Sequence, residues 1–360
     1  MNITSRFEND FPAVDKHPGA YEWWYYDAVS ANGDWAFVII FYDGCPFSPS
    51  YNKSLESNRP DRPDNHPAIS LSVYHKGKPV FYSMSEYEKV ESSFSVDNHR
   101  VKIKVGKNEI LAEKSEKGIT HTININESFP SGDALIAEIV YKSIYKSDNI
   151  FPKSDSKSGH GWNLTMPKAK VTANGYLTEK GKETTPFAYD GSGYHDHNLG
   201  FEPMKNEFID WYWGRFHFKN QSLIYYIMRT NEGLKPQAWL IDDFGNIKTE
   251  LTEGSLRDFS SNVFLLSGAR TIELNSREIE VSIHQTKIVD SGPFYYRYLS
   301  DVIIHDKTND SIETAKGITE YIHPSRIHWK PFWPLVHMRY RYVGNPHWVQ
   351  KSPTMYRWTW

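Results

Sequence analysis

The stretch Glu22-Trp23-Trp24-Tyr25-Tyr26-Asp27, continued by AVSANGDWAFVIIFY (28–42), decides the fold because it occurs twice. Asp210-Trp211-Tyr212-Trp213-Gly214-Arg215, continued by FHFKNQSLIYYIMRT (216–230), aligns with it without a gap. Acid, aromatic triplet, short turn and apolar strand fall at matching places, with Trp23 on Trp211, Asn32 on Asn220 and Ile39 on Ile227. Each copy reads as an aromatic strand, a polar turn and a second apolar strand, which is a β-hairpin. A repeat at this separation predicts two homologous halves, each opened by such a hairpin. The join is expected near 200–208 (GFEPMKNEF).

Outside the repeat the same grammar continues. AISLSVYH (68–75), KPVFYSMS (78–85), ALIAEIVYK (134–142), QAWLIDD (237–243), REIEVSIHQT (277–286) and YYRYLSDVIIH (295–305) are β-branched or aromatic runs, several of them alternating. Turn signals such as HKGK (75–78) and DDFGN (242–246) separate them. No long run has a 3.6-residue period, so the reading is all-β, with sandwiches or barrels as the architectures. Two polar stretches, 52–67 and 143–161, read as long loops of the kind that rim binding sites.

Composition narrows the function classes. At 360 residues the chain is long enough for two cores. A net charge of -3 supplies no basic excess for phosphates, so nucleic acid is not an expected partner. One cysteine, Cys45, forbids an internal disulfide. No apolar run reaches the ~20 residues that span a bilayer. The N-terminus lacks the apolar segment of a signal peptide. The cytoplasm is therefore the expected compartment, with peripheral membrane contact left open. Aromatic residues reach 15%. Rings on this scale either fill strands or line a cavity for an apolar ligand, and composition does not separate the two.

Candidate chemistry concentrates in Gly191-Ser192-Gly193-Tyr194-His195-Asp196-His197-Asn198-Leu199-Gly200. In an extended chain Tyr194, Asp196 and Asn198 share one face, and His195 and His197 the other. A carboxyl beside a tyrosine in an apolar cavity has its pKa raised by desolvation and becomes a general acid. His195 and His197 could instead ligate a metal, but no second cluster of standard spacing supports that, and no metal is expected. His160 and Trp162 also share a face, pairing an imidazole that can hold water with an indole that can stabilise a cation. In the repeated hairpins Trp23, Tyr25 and Asp27 alternate on one face, as do Trp211, Trp213 and Arg215. Asp27 and Arg215 occupy equivalent positions with opposite charge, which favours an ion pair between the halves over a substrate contact. The C-terminal region, rich in Trp, His, Arg and Pro, reads as a wrapping tail or cavity wall. A GxSxG elbow, a P-loop and a GxGxxG after a strand are all missing from the sequence.

EWWYYD, GSGYHDHNLGFEPMKNEFIDWYWGRF and GITEYIHPSRIHW together resemble the carotenoid 1,2-hydratase (hydroxyneurosporene synthase) family, whose relatives include AttH proteins and lipocalin-like Diels–Alderases. The resemblance spans roughly residues 20–340. It implies two lipocalin-like (calycin) β-barrel domains in tandem, 1–203 and 204–360, with a ligand cavity at or between them. It also implies chemistry without cofactor or metal on a hydrophobic isoprenoid, polyene or polyketide. The family's H-x-W and Y-x-D positions fall on His160, Trp162, Tyr194 and Asp196. Asp196 is then the proton donor to a C=C bond, Tyr194 and Trp162 orient it and stabilise the cation, and His160 positions water. Trp23, Tyr25, Trp211, Trp213, Arg215, His195, His197 and Asn198 are the expected substrate contacts. Cyclisation, a pericyclic reaction and ligand carriage are the alternatives the same box could serve.

Overall fold

The computed structural model describes residues 1–30, 32–97, 100–145, 150–151, 159–181 and 183–360. Most of the loop expected at 143–161 lies outside them. The protein is all-β, and its described strands form two large sheets of 13 and 9 strands and a two-stranded ribbon.

The hairpin strands are the organising elements. Tyr21–Val29 pairs with Trp35–Asp43 on one side and with Glu183–Gly200 on the other. Asp210–His217 pairs likewise with Gln221–Thr230 and with Ser311–Ile322. In each half, therefore, the opening strand lies beside the closing strand. From this central pair each sheet runs outward as two meanders. The outermost meander strands, Lys78–Glu86 and Ser92–Asp97 in one half and Ile247–Leu251 and Glu253–Arg257 in the other, are neighbours in sequence. A sheet whose ends meet in this way curls into a nearly closed, lipocalin-like barrel.

The two hairpins differ in register by one pleat. Tyr25 opposes Ile40, whereas Trp213 opposes Tyr226, which the gapless alignment matches to Val38. The turn after Val29 is two residues longer than the turn after His217, and this sets the difference. A slip of two residues keeps every side chain on its face, so both hairpins still aim the same residues outward.

Three large apolar cores result, with a small fourth cluster of Tyr82, Phe129 and Tyr356 among the described residues. Trp24, Tyr26, Phe37, Ile39 and Phe41 point into the first barrel. Tyr212, Phe216, Tyr225 and Ile227 point into the second. The remaining face of each hairpin, with Trp23, Tyr25, Trp211, Trp213 and Tyr226, packs in a third core where the barrels meet. Tyr21–Val29 is consequently buried at every position instead of alternating. Residues 324–360 cross back over this junction. Tyr340–Tyr342 adds a parallel strand beside Lys78–Glu86, and Tyr356 stacks on Phe129 at 4.0 Å. No helix among the described residues is long and apolar enough to cross a membrane.

Candidate active site

A cavity of about 520 Å³ opens in the core between the barrels. Trp23, Tyr25, Ile40 and Tyr42 wall it from the first hairpin, and Trp211, Trp213 and Tyr226 from the second. The tail closes it with Leu335, Val336, Met338, Tyr340 and Trp358. Both the size and the aromatic lining suit an apolar small molecule.

The closing strand Glu183–Gly200 delivers the chemistry. Its pleat turns Asp196 and Asn198 to the cavity, with Tyr194 on the same face. Asp196 is 3% exposed. Its Oδ2 accepts from the Tyr194 hydroxyl at 2.6 Å and from Trp162 Nε1 at 2.7 Å, and its Oδ1 accepts from Asn198 Nδ2 at 2.8 Å. All three donors are neutral. Loss of solvation outweighs them, and the nearby Asp27 and Glu320 charges add to it, so the carboxyl is pushed up to about 7.

Trp162 and Tyr194 hold this carboxyl from behind the cavity wall. Tyr194 is fully buried, with its ring 5.2 Å from that of Trp213. Trp162 packs on Tyr226 at 5.2 Å. His160 lies two residues from Trp162, its Nδ1 2.9 Å from the Tyr21 hydroxyl. Burial lowers its pKa to about 3, so it is neutral, and the adjoining Asn198 amide only partly opposes that. Among the described residues, His160 Nε2 and Asn198 Oδ1 have no hydrogen-bond partner of good geometry. Of the four residues expected to do the chemistry, Tyr194 and Trp162 thus bond the Asp196 carboxyl directly, whereas His160 meets Tyr21 and the Trp23 and Tyr226 rings and is not among the cavity-lining residues.

Of the expected substrate contacts, Trp23, Tyr25, Trp211, Trp213 and Asn198 line the cavity. Three others do not reach it. His195 is on the opposite face of its strand, stacked on Tyr26, with Nδ1 on the Tyr25 carbonyl and Nε2 3.1 Å from Asp10. His197 shares that face, stacked on Trp24 and bound to Glu22 at 2.8 Å. Arg215 is consumed by the buried ion pair with Asp27 that joins the barrels. His195 and His197 engage different carboxylates and do not converge. Among the described residues, the histidine–carboxylate group close enough to share an ion is Asp10, His121 and His195, within 4.8 Å of one another. It lies behind the strand Glu183–Gly200, on the barrel side.

Glu320 also lines the cavity, a residue outside the expected set although the sequence carries a signal for it. Asp196 pairs with Tyr25 across the sheet, and Glu320 pairs with Trp213, the repeat's equivalent of Tyr25. Gly193-Tyr194-His195-Asp196 and Gly317-Ile318-Thr319-Glu320 are therefore counterparts, a second repeat of the form G-x-x-acid. The glycines are forced, because an added Cβ would lie 2.5 Å from the Asp27 carbonyl at Gly193 and 2.1 Å from the Arg215 carbonyl at Gly317. The two acids meet different fates. Glu320 accepts from the Tyr25 hydroxyl at 3.2 Å and pairs with Arg297 at 2.8 Å, whereas Asp196 has no cationic partner among the described residues.

Two lipocalin-like sheets facing each other across an aromatic cavity, with an unpaired carboxyl in its wall, define a class of small-molecule enzyme rather than one protein. Comparison narrows the class. Residues 38–340 match the family model described as carotenoid hydratase CrtC. The chain is 27% identical over 347 residues to a hydroxyneurosporene dehydrogenase of Chlorobaculum tepidum, covering 91% of this chain and 88% of that protein. It is 23% identical over 315 residues to an acyclic carotenoid 1,2-hydratase of Thiocapsa roseopersicina, covering 85% and 71%. Among solved structures CghA with Sch210972 shares the fold, with TM-score 0.63 and 13% identity over 86% of this chain and 89% of that one. The chain belongs to the carotenoid hydratase CrtC family, and it is an enzyme of the hydro-lyase class.

Proposed function

We propose that the protein hydrates or cyclises an apolar isoprenoid, in the first instance an acyclic carotenoid, by cofactor-independent protonation of a C=C bond from Asp196. The observation that carries this reading is a buried carboxyl at an apolar cavity wall, held by neutral donors alone and pushed up to about 7. Oδ1 has one donor where Oδ2 has two, so Oδ1 is the oxygen that carries the proton. Transfer of that proton to the less substituted alkene carbon leaves Asp196 as a carboxylate and a tertiary cation on the chain. The ring faces of Trp23, Tyr25 and Trp213 stabilise the cation. With Tyr21 donating to His160 Nδ1, the Nε2–H and Asn198 Oδ1 together hold a water that adds to it. The oxonium proton returns to the Asp196 carboxylate, which closes the cycle with net addition of H₂O. An internal alkene attacking in place of water gives a ring and a new carbocation, which loses a neighbouring C–H proton to the Asp196 carboxylate and so forms a C=C bond with no net addition.

A molecule this apolar resides in lipid, so the enzyme works in peripheral contact with a membrane. The halves 1–203 and 204–360 are read as two domains of one duplicated design, with the catalytic acid kept in the first.

Incubation with an acyclic carotenoid in isotope-labelled water tests the proposal. A product carrying the labelled hydroxyl, lost in Asp196→Asn, supports it. Cyclisation at full rate in Asp196→Asn points instead to a pericyclic enzyme that relies on positioning.

A further inference from the structure

We propose that the rim of the cavity is a membrane-docking surface that seats the protein on an anionic lipid bilayer with the cavity mouth against the lipid. The inference rests on the reading of the cavity as the seat of a lipid-soluble substrate, and it names where that substrate enters.

The rim carries apolar side chains that no described residue covers. Val263 is 88% exposed and Trp358 85%, yet both also line the cavity, which places them at its mouth. Leu265 beside Val263 is 79% exposed. Trp329 and Leu335 continue the patch on the tail. A contiguous exposed patch of this kind marks an interaction site rather than scattered surface residues.

The display is built in. The Arg326 guanidinium donates to the carbonyls of Leu265 at 2.7 Å and Phe264 at 2.5 Å, pinning the loop tip to the tail. The Phe264 ring meets that of Phe332 edge-on at 6.1 Å, which anchors the loop while its neighbours point outward. Leu265 has φ +59°, a left-handed conformation that costs a branched residue energy.

The partner follows from the residue types and charge. Residues 321–360 contain five tryptophans, six Lys/Arg and no Asp or Glu, in a chain whose net charge is -3. Residues 259–270, which include the loop tip, also lack acids. Arg339, Arg341 and Arg357 are spent on Asp290, Glu127 and Asp133, while Lys330, 2.9 Å from Glu56, and Lys351 stay exposed. Tryptophan with lysine and arginine is the composition of a membrane–water interface, where rings sit at headgroup depth and cations meet lipid phosphate. Continuity of the patch with an apolar cavity gives a lipid-borne chain a path that never crosses water.

Flotation of the full-length protein with vesicles of phosphatidylcholine containing one-third phosphatidylglycerol, without substrate, tests the surface. The native protein is expected to float. The triple variant Val263→Asp, Leu265→Asn, Trp358→Glu is expected to lose about tenfold or more in partitioning, the equivalent of one buried apolar side chain. Its melting curve should match the native one, and Phe244→Ser, an exposed ring elsewhere, should float normally. The proposal is overturned if the native protein stays with the buffer or the triple variant floats equally well. Light scattering that shows a dimer split by the triple variant also overturns it, because the patch then seats a second copy. Hydration of detergent-dispersed carotenoid is scored separately, so failure to dock is distinguishable from failure of the proposed chemistry.

Discussion

Asp196 and Glu320 occupy equivalent positions of the two sheets, and their environments give them different chemistry. Glu320 has a guanidinium beside it, while Asp196 has only two N–H groups and a hydroxyl. Catalysis by protonated Asp196 should fall as pH rises through about 7. Asp196→Asn should cost about a hundredfold or more in turnover, the usual contribution of a general acid, with substrate affinity retained. The same shift has a stability consequence. The folded carboxyl binds its proton more tightly than the unfolded one, whose ordinary value is 3.8. Its stabilising contribution is therefore complete at low pH and is lost as pH rises through about 7. Thermal melts at pH 8 should show Asp196→Asn at least as stable as the native protein. Glu320→Gln removes a neighbouring negative charge that helps keep Asp196 protonated. The pH–rate profile of that variant should shift to lower pH, whereas a merely structural role would lower the rate without moving the profile.

Paired opening and closing strands do at the element scale what a single residue cannot. Each opening strand turns one face into its own barrel and the other toward the partner barrel, so both faces need apolar residues. Polar exceptions on the outer face must be paired, as Asp27 and Arg215 are. Burial pushes the Asp27 carboxyl up even with the guanidinium in contact, which shows how little solvent remains. Arg215→Met should destabilise the protein by about 3 kcal/mol by stranding the Asp27 carboxyl. Adding Asp27→Leu should recover most of that loss in denaturant melts. If the single and double variants melt alike, the pair does not join the barrels.

The cavity belongs to the whole molecule. Neither barrel contains it. It forms because two outer walls face each other and the tail folds back across them. The tail is held to the first barrel by Arg341 on Glu127, Arg357 on Asp133 and the buried Tyr356 ring. Tyr356→Ala should cost about 3 kcal/mol of stability, as for other buried aromatics. It should also raise KM more than it lowers kcat, because the wall moves while the Asp196 cluster stays. Steady-state kinetics separate the two effects, and an unchanged KM would detach the tail from substrate binding.

What the sequence by itself determined is the local pattern. Strand-forming runs, a hairpin stated twice, and the two-residue period that puts Tyr194, Asp196 and Asn198 on one face all follow from the chain's own periodicity. The same period puts His160 and Trp162 on one face, and a motif resemblance adds their roles. Only the tertiary structure decided which face looks into a barrel and which into the cavity, because a strand buried on both sides carries no hydrophobic asymmetry to read. That is why His195 and His197 were assigned to the substrate and proved to serve Asp10 and Glu22 instead. It is also why Glu320 stayed hidden: its equivalence to Asp196 rests on pairing between strands far apart in sequence. The elevated pKa of Asp196 likewise depends on exclusion of water by two barrels and a tail, which no local stretch of sequence encodes.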